Sequence, residues 1–283
     1  MSAQTIIQIL TTASLASLLF EVGLRLTVRQ ILEPLKDRKL LARVLVTNFV
    51  LVPALAIALV RVLDVPTDSA AAILLLATAP FAPVVPVFAK MAKGDLALAA
   101  SLTALFPLIS AVLTPPVCAL ALRVLPDAGS LRLSVWMILG VLFATITLPL
   151  AAGVAFHHWW PAAAKRLRKP LEVSSETAGA ISLGFVTFVE FESIRNIGWT
   201  TLLAVALLSE ASLLAGYWFG GGTAAQRKVT ALGASNRNIA LALLVALGSF
   251  HESPAVPGVV AGGLTLIFLG LLHVAYWRVR SGR

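Results

Sequence analysis

The chain has 283 residues, 59% of them apolar and only 12% charged, with a mean hydropathy of +0.93. A soluble domain carries about 25% charged residues, so this composition excludes a soluble globule. An aromatic fraction of 7% and the lack of alternating ten-residue strands exclude an outer-membrane barrel, leaving a bundle of membrane helices, because lipid offers backbone groups no partner but one another. The net charge of +9 falls in clusters between apolar runs, the pattern of cytoplasmic loops rather than of a nucleic-acid surface. Cys118 is the single cysteine, so no intrachain disulfide or thiolate metal cluster forms.

Nine apolar segments of spanning length follow one another, roughly 4–28, 39–62, 67–92, 95–122, 131–158, 172–192, 198–220, 224–250 and 255–279. The first has no cation before Arg25 and reads as a retained helix, not a cleaved leader. The third contains Pro80, Pro83 and Pro86, each of which removes a backbone donor and clashes with the preceding turn. A continuous helix through 81–85 is therefore not expected. The sixth is the weakest, with thirteen uncharged residues between Glu176 and Glu190. The eighth is interrupted by Gly233 and the polar run Ser235, Asn236, Arg237, Asn238. Each broken segment precedes one long helix, so the chain reads as two halves, 4–122 and 131–279, and paired breaks point to an inverted-repeat transporter.

The cations give the orientation. Seventeen fall on one side: Arg25, Arg29, Lys36, Arg38, Lys39 and Arg43 after the first segment, Lys90 and Lys93 after the third, Lys165, Arg166, Arg168 and Lys169 after the fifth, Arg227 and Lys228 after the seventh, and three in the tail. Four fall on the other: Arg61, Arg123, Arg132 and Arg195. The bias places the amino terminus outside and the carboxyl terminus in the cytoplasm of a bacterial-type inner membrane or a plasma membrane, with Trp159, Trp160 and Trp277 at the cytoplasmic interface.

The order of these pieces resembles the bile acid:sodium symporter family. "FEVGLRL" at 20–26, "NFVLVPALA" at 48–56, "AKGDLALAASLTALFPLISAVLTPPV" at 92–117, "SNRNIALAL" at 235–243 and "VPG" at 256–258 are similar to that family's successive motifs. The resemblance implies secondary transport of organic anions by alternating access. It implies a core-like unit, 39–122 and 198–279, a panel-like unit, 4–28 and 131–192, and two broken helices crossing near the midplane with substrate between the units. It also implies sodium, but the usual ligand positions are largely replaced: Pro80, Phe81, Ala82, Val85 and Pro86 stand in the first break, Gly233 and Arg237 in the second, and Ala99 beside a matching Thr103 in the following helix.

Arginine has no lone pair to give and stays charged, so Arg237 reads as a built-in substitute for the metal ion, beside half-helix amino termini that favour anions. A charge in a span usually marks a path. The expectation is transport of a small organic anion, carboxylate or sulfonate, paired with Arg237 and supported by Ser235, Asn236, Asn238, Thr47 and Asn48, with sodium coupling weakened or absent; the alternatives are sodium symport through the remaining ligands and a non-transporting sensor or subunit on the carrier fold. The alternative is an internal salt bridge from Arg237 to Glu21 or Glu210. Both carboxylates, with Thr103, are also candidates for ion coupling. Asn236 and Asn238 either satisfy freed backbone groups or bind substrate, and Gly258 with Gly262 lets helices approach. No nucleophile–base set or metal pair marks an enzyme. No cofactor is expected, sodium aside. The partners expected are the anion and the bilayer, with oligomeric state open.

Overall fold

The structure, a computed structural model, describes residues 3–125, 135–249 and 255–280. Among the described residues every regular element is helical. In chain order these are α1 Ala3–Arg25, α2 Val28–Leu32, α3 Arg38–Val46, α4 Val52–Val62, α5 Thr67–Thr78, α6 Val85–Met91, α7 Leu96–Leu122, α8 Val135–Leu142, α9 Leu148–Trp159, α10 Pro161–Val189, α11 Phe191–Arg195, α12 Trp199–Phe219, α13 Ala224–Ser235, α14 Ile239–Ser249 and α15 Ala255–Arg280. Short π turns, Thr47–Leu51 and Phe143–Thr147, join α3 to α4 and α8 to α9.

Six helical stretches among the described residues are apolar and long enough to cross a membrane: Ala3–Arg25, Arg38–Val62, Leu96–Leu122, Trp199–Phe219, Ala224–Gly248 and Ala255–Arg280. The other three expected segments differ from a clean span for separate reasons. The third is divided into α5 and α6. The fifth is described only from Val135 onward. The sixth is part of α10, which starts at Pro161 directly after α9 and so carries Lys165, Arg166, Arg168 and Lys169 on a helix rather than in a loop. Proline at a first helical turn gives up no hydrogen bond, which is why the helix begins there.

The first segment also ends sooner than expected. Thr27 caps α2 through a reciprocal pair with Gln30, so the chain turns after Arg25. Gly233 lies inside α13, which runs on to Ser235. It is not the point of interruption but the place where the Phe81 ring rests on α13: a Cβ there would lie 2.1 Å from Phe81 Cε2.

One buried cluster joins α1 with α5, α12, α14 and α15. Helix α1 packs on α9 and α10, while α12 packs on α13, and α15 on α5 and α12. Close approach of α15 to α5 needs the glycines the sequence placed there. A Cβ on Gly258 would meet Ala72 Cβ at 2.6 Å, and one on Gly262 would meet Leu76 Cδ1 at 2.6 Å. A second buried cluster holds the first break. Phe81 stacks on Phe106 of α7 at 4.7 Å, and Phe49 also stacks on Phe106, at 5.9 Å.

Candidate functional site

Two helices end at the same place. Helix α5 stops at Thr78 ahead of Pro80, and α13 stops at Ser235 with Asn236 extended. The freed strands pair: Ala82 N donates to Asn236 O at 3.0 Å, and Asn238 N donates to Ala79 O at 2.9 Å. Residues 79–82 and 236–238 thus run antiparallel across each other. Helix α6 restarts at Val85 with Pro86 in its first turn, and α14 restarts at Ile239, where Asn238 Oδ1 accepts from Leu241 N at 3.1 Å.

Buried carbonyls at helix ends must find donors, and here two side chains, Thr114 and above all Arg237, supply them. Thr78 O accepts from Thr114 Oγ1 at 3.3 Å. Leu76 O accepts from Arg237 Nε at 3.3 Å and Ala77 O from Arg237 Nη2. Ala234 O, near the end of α13, accepts from Arg237 Nη1 at 3.2 Å. The fourth carbonyl comes from the π turn. In that register Val52 N donates back to Thr47 O, so the carbonyl of Asn48 faces residue 53, which is proline and has no N–H. Arg237 Nη2 takes Asn48 O at 3.2 Å, and Nη1 takes Asn48 Oδ1 at 2.7 Å.

Arginine has five N–H donors, and all five are used, on four main-chain carbonyls and one amide oxygen. Arg237 is 2% exposed. Its charge sits against the carboxyl ends of α5 and α13, the negative ends of their dipoles, and not against the amino termini that the sequence suggested.

The alternative salt bridges do not form. Glu21 pairs with Arg25, one turn on along its own helix, and Arg25 Nη2 reaches Glu172 Oε1 on α10 at 3.0 Å. Glu210 Oε2 lies 3.2 Å from His273 Nε2. Each carboxylate has a nearer cation-forming group, and the carbonyls already fill the guanidinium. Thr47 Oγ1 donates to Arg43 O at 2.8 Å within its own helix, and Ser235 Oγ and Asn236 Nδ2 both donate to Leu232 O, at 3.5 and 3.1 Å. The amides and hydroxyls of both breaks therefore serve mainly the backbone. Two buried polar atoms are left without a partner here, Asn236 Oδ1 and Thr103 Oγ1.

A cavity of about 250 Å³ opens on the crossing. Its lining includes Pro83, Asn236, Arg237 and Asn238 of the breaks and Thr11, Ser14 and Ser182 of α1 and α10. Thr11 Oγ1 and Ser182 Oγ bond each other at 3.0 Å. A second cavity of about 160 Å³ holds Glu21, Arg25, Thr103, Glu172 and Glu176. Sequence reasoning missed Thr11, Ser14 and Ser182. Small hydroxyl residues in an apolar helix are too common to stand out, and only the facing break marks them.

Among the described residues the protein is all-helical with spans long enough to cross a membrane, and its paired helix breaks meeting beside a cavity follow the pattern of membrane transporters. Residues 12–211 match the model of the Sodium Bile acid symporter family, well over half of the chain, and the protein belongs to that family, whose members are transporters rather than enzymes. The matched stretch ends ahead of α13. No curated protein matches the chain.

Proposed function

We propose that the protein is a secondary carrier of a small organic anion, working by alternating access, in which the Arg237 guanidinium occupies the place of a coupling sodium ion. The observation that carries this reading is the oxygen cage. Sodium takes backbone carbonyls and amide oxygens as ligands, and here four carbonyls and Asn48 Oδ1 surround a fixed cation. Because the five donors are engaged, Arg237 contributes positive potential at the crossing rather than a direct contact. The hydroxyls of Thr11, Ser14 and Ser182, whose hydrogens here go to one another and to Thr11 O, rotate to the anion when it binds beside the first turn of α14.

The same reading takes α1 and α8–α10 as the panel and α3–α7 with α12–α15 as the core, related halves crossing the membrane nine times. The antiparallel pairing of the two breaks and the cavity between the groups support it. A compact carboxylate or sulfonate is the cargo this reading assigns to the cavity of about 250 Å³ at the crossing. The test is uptake of radiolabelled monocarboxylates and sulfonates of a few carbons into proteoliposomes. Uptake is expected to persist when choline replaces sodium and to be lost in Arg237→Ala. Uptake that requires sodium overturns the proposal.

A further inference from the structure

We infer that the cargo is a zwitterion, an ω-amino carboxylate or sulfonate, whose ammonium end enters the second cavity at Glu21, Glu172 and Glu176 while its anionic end lies at the crossing. The inference rests on the transport reading above and names the substrate class of that site.

The two cavities adjoin. Leu18 of α1, Ser175 of α10 and Pro83 of the first break line both. Helices α1 and α10 run antiparallel here: Thr11 bonds Ser182 at one rung and Arg25 reaches Glu172 at another, each at 3.0 Å. On α1 the cavity-lining residues Thr11, Ser14, Leu18, Glu21 and Arg25 recur every three or four positions, which is one stripe of a helix. Helix α10 presents a matching stripe of Ser182, Gly179, Ser175 and Glu172. Along both stripes hydroxyls give way to carboxylates in the same direction, away from Arg237.

The second cavity is rich in acceptors. Three carboxylates and one guanidinium line it. Arg25 serves both Glu21 and Glu172, and among the described residues Glu176 forms no ion pair. Lys90 and Lys169 act on Glu172 from outside the lining. A separate observation marks the same cavity. Thr103 of α7 lines it at 4% exposure, and its Oγ1 is buried without a partner. A threonine inside a helix can return its hydroxyl to the carbonyl one turn back, as Thr47, Thr78, Thr187 and Thr265 do here. Thr103 does not, so its oxygen is left for a group in the cavity. An ammonium offers three donors and no acceptor, which suits carboxylates and a free hydroxyl oxygen together.

The spacing sets the length of the cargo. Seven residues separate Ser14 from Glu21, about 10 Å along the helix axis at about 1.5 Å per residue. A hydrogen bond takes about 3 Å at each end, leaving about 5 Å between the ligand's own charged groups, the reach of about three methylenes.

The test titrates full-length protein in nanodiscs, in sodium-free potassium buffer, with 4-aminobutanoate, butanoate and butylamine. The amino acid is expected to bind about tenfold more tightly than either half-molecule. Glu176→Gln is expected to cut its advantage over butanoate to about twofold. Glu190→Gln, at the far end of α10 and outside both cavities, should keep the full ratio. Butanoate or butylamine binding as tightly as 4-aminobutanoate overturns the inference, and so does a ratio that Glu176→Gln leaves unchanged or that Glu190→Gln lowers equally. Proteoliposome uptake separates this inference from the reading beneath it. Butanoate uptake with no preference for 4-aminobutanoate overturns the zwitterion and leaves the anion carrier. Tight, Glu176-dependent binding of 4-aminobutanoate without uptake of any anion overturns the carrier and leaves the zwitterion site, while no binding and no uptake overturns both.

Discussion

Arg237 is where a single side chain decides the most. Truncation to alanine strips donors from Ala77 O, Ala234 O and Asn48 O, and each buried orphan costs about 1–3 kcal/mol. Arg237→Ala is therefore expected to lower the melting temperature clearly in detergent. It also leaves an empty ring of oxygens, so sodium should raise the melting temperature of the variant and not of the wild type. Equal stabilisation of both by sodium, relative to choline, would mean that the metal binds elsewhere and that Arg237 is no substitute for it. Gly233 is the second such position. Phe81 sits in the left-handed region at φ 48° with its ring on that glycine. Gly233→Ala is expected to cost about 1–3 kcal/mol by overpacking, and Phe81→Gly in the same chain should recover part of it, because contacting residues couple. Independent, additive losses in that cycle would show that the ring does not rest there. The weight of Arg237 was legible in the sequence, since a guanidinium in an apolar run needs a reason. Its partners were only partly so: apart from Asn48 Oδ1 they are main-chain carbonyls freed at two helix ends and in a π turn, and no side chain announces a free carbonyl.

At the scale of elements, the breaks were legible because proline and clustered amides leave few alternatives, whereas the π turn at Thr47–Leu51 was not. Only Pro53, read with the knowledge that Val52 N reaches back five residues to Thr47 O, shows why Asn48 O is available. The extent of α10 was also hidden, since four clustered cations look like a loop until Pro161 is seen to start a helix. The glycine pair on α15 was readable as a packing device, and its consequence reaches the site. Gly262 admits Leu76, whose carbonyl takes Arg237 Nε at 3.3 Å. Gly262→Val is expected to push α15 off α5, lowering the melting temperature and sodium-independent uptake together. Gly222→Ala, with nothing within 4 Å of its Cβ, should change neither.

In the proposed carrier the two breaks reach one depth from opposite sides, which needs an odd number of crossings between them. Six spans are apparent from length and hydropathy; the remaining crossings depend on a divided segment, a partly described one and the charged helix α10. The proposed nine crossings, which put seventeen cations on one side against four, require that α10 traverse the bilayer. The protein suits a direct test, because its one cysteine, Cys118, is buried. Asp68→Cys, on the exposed start of α5, and Gly222→Cys, in the exposed turn before α13, lie on opposite faces in the nine-crossing arrangement. An impermeant maleimide added to intact cells should label Asp68→Cys at once and Gly222→Cys only after permeabilisation. If α10 lay along the surface instead, an even number of crossings would separate the same two sites, and both would react from one side. That result would leave the family membership and the Arg237 cage untouched, but it would remove the relation between the halves and with it the reason for α5 and α13 to meet end to end at the membrane's centre.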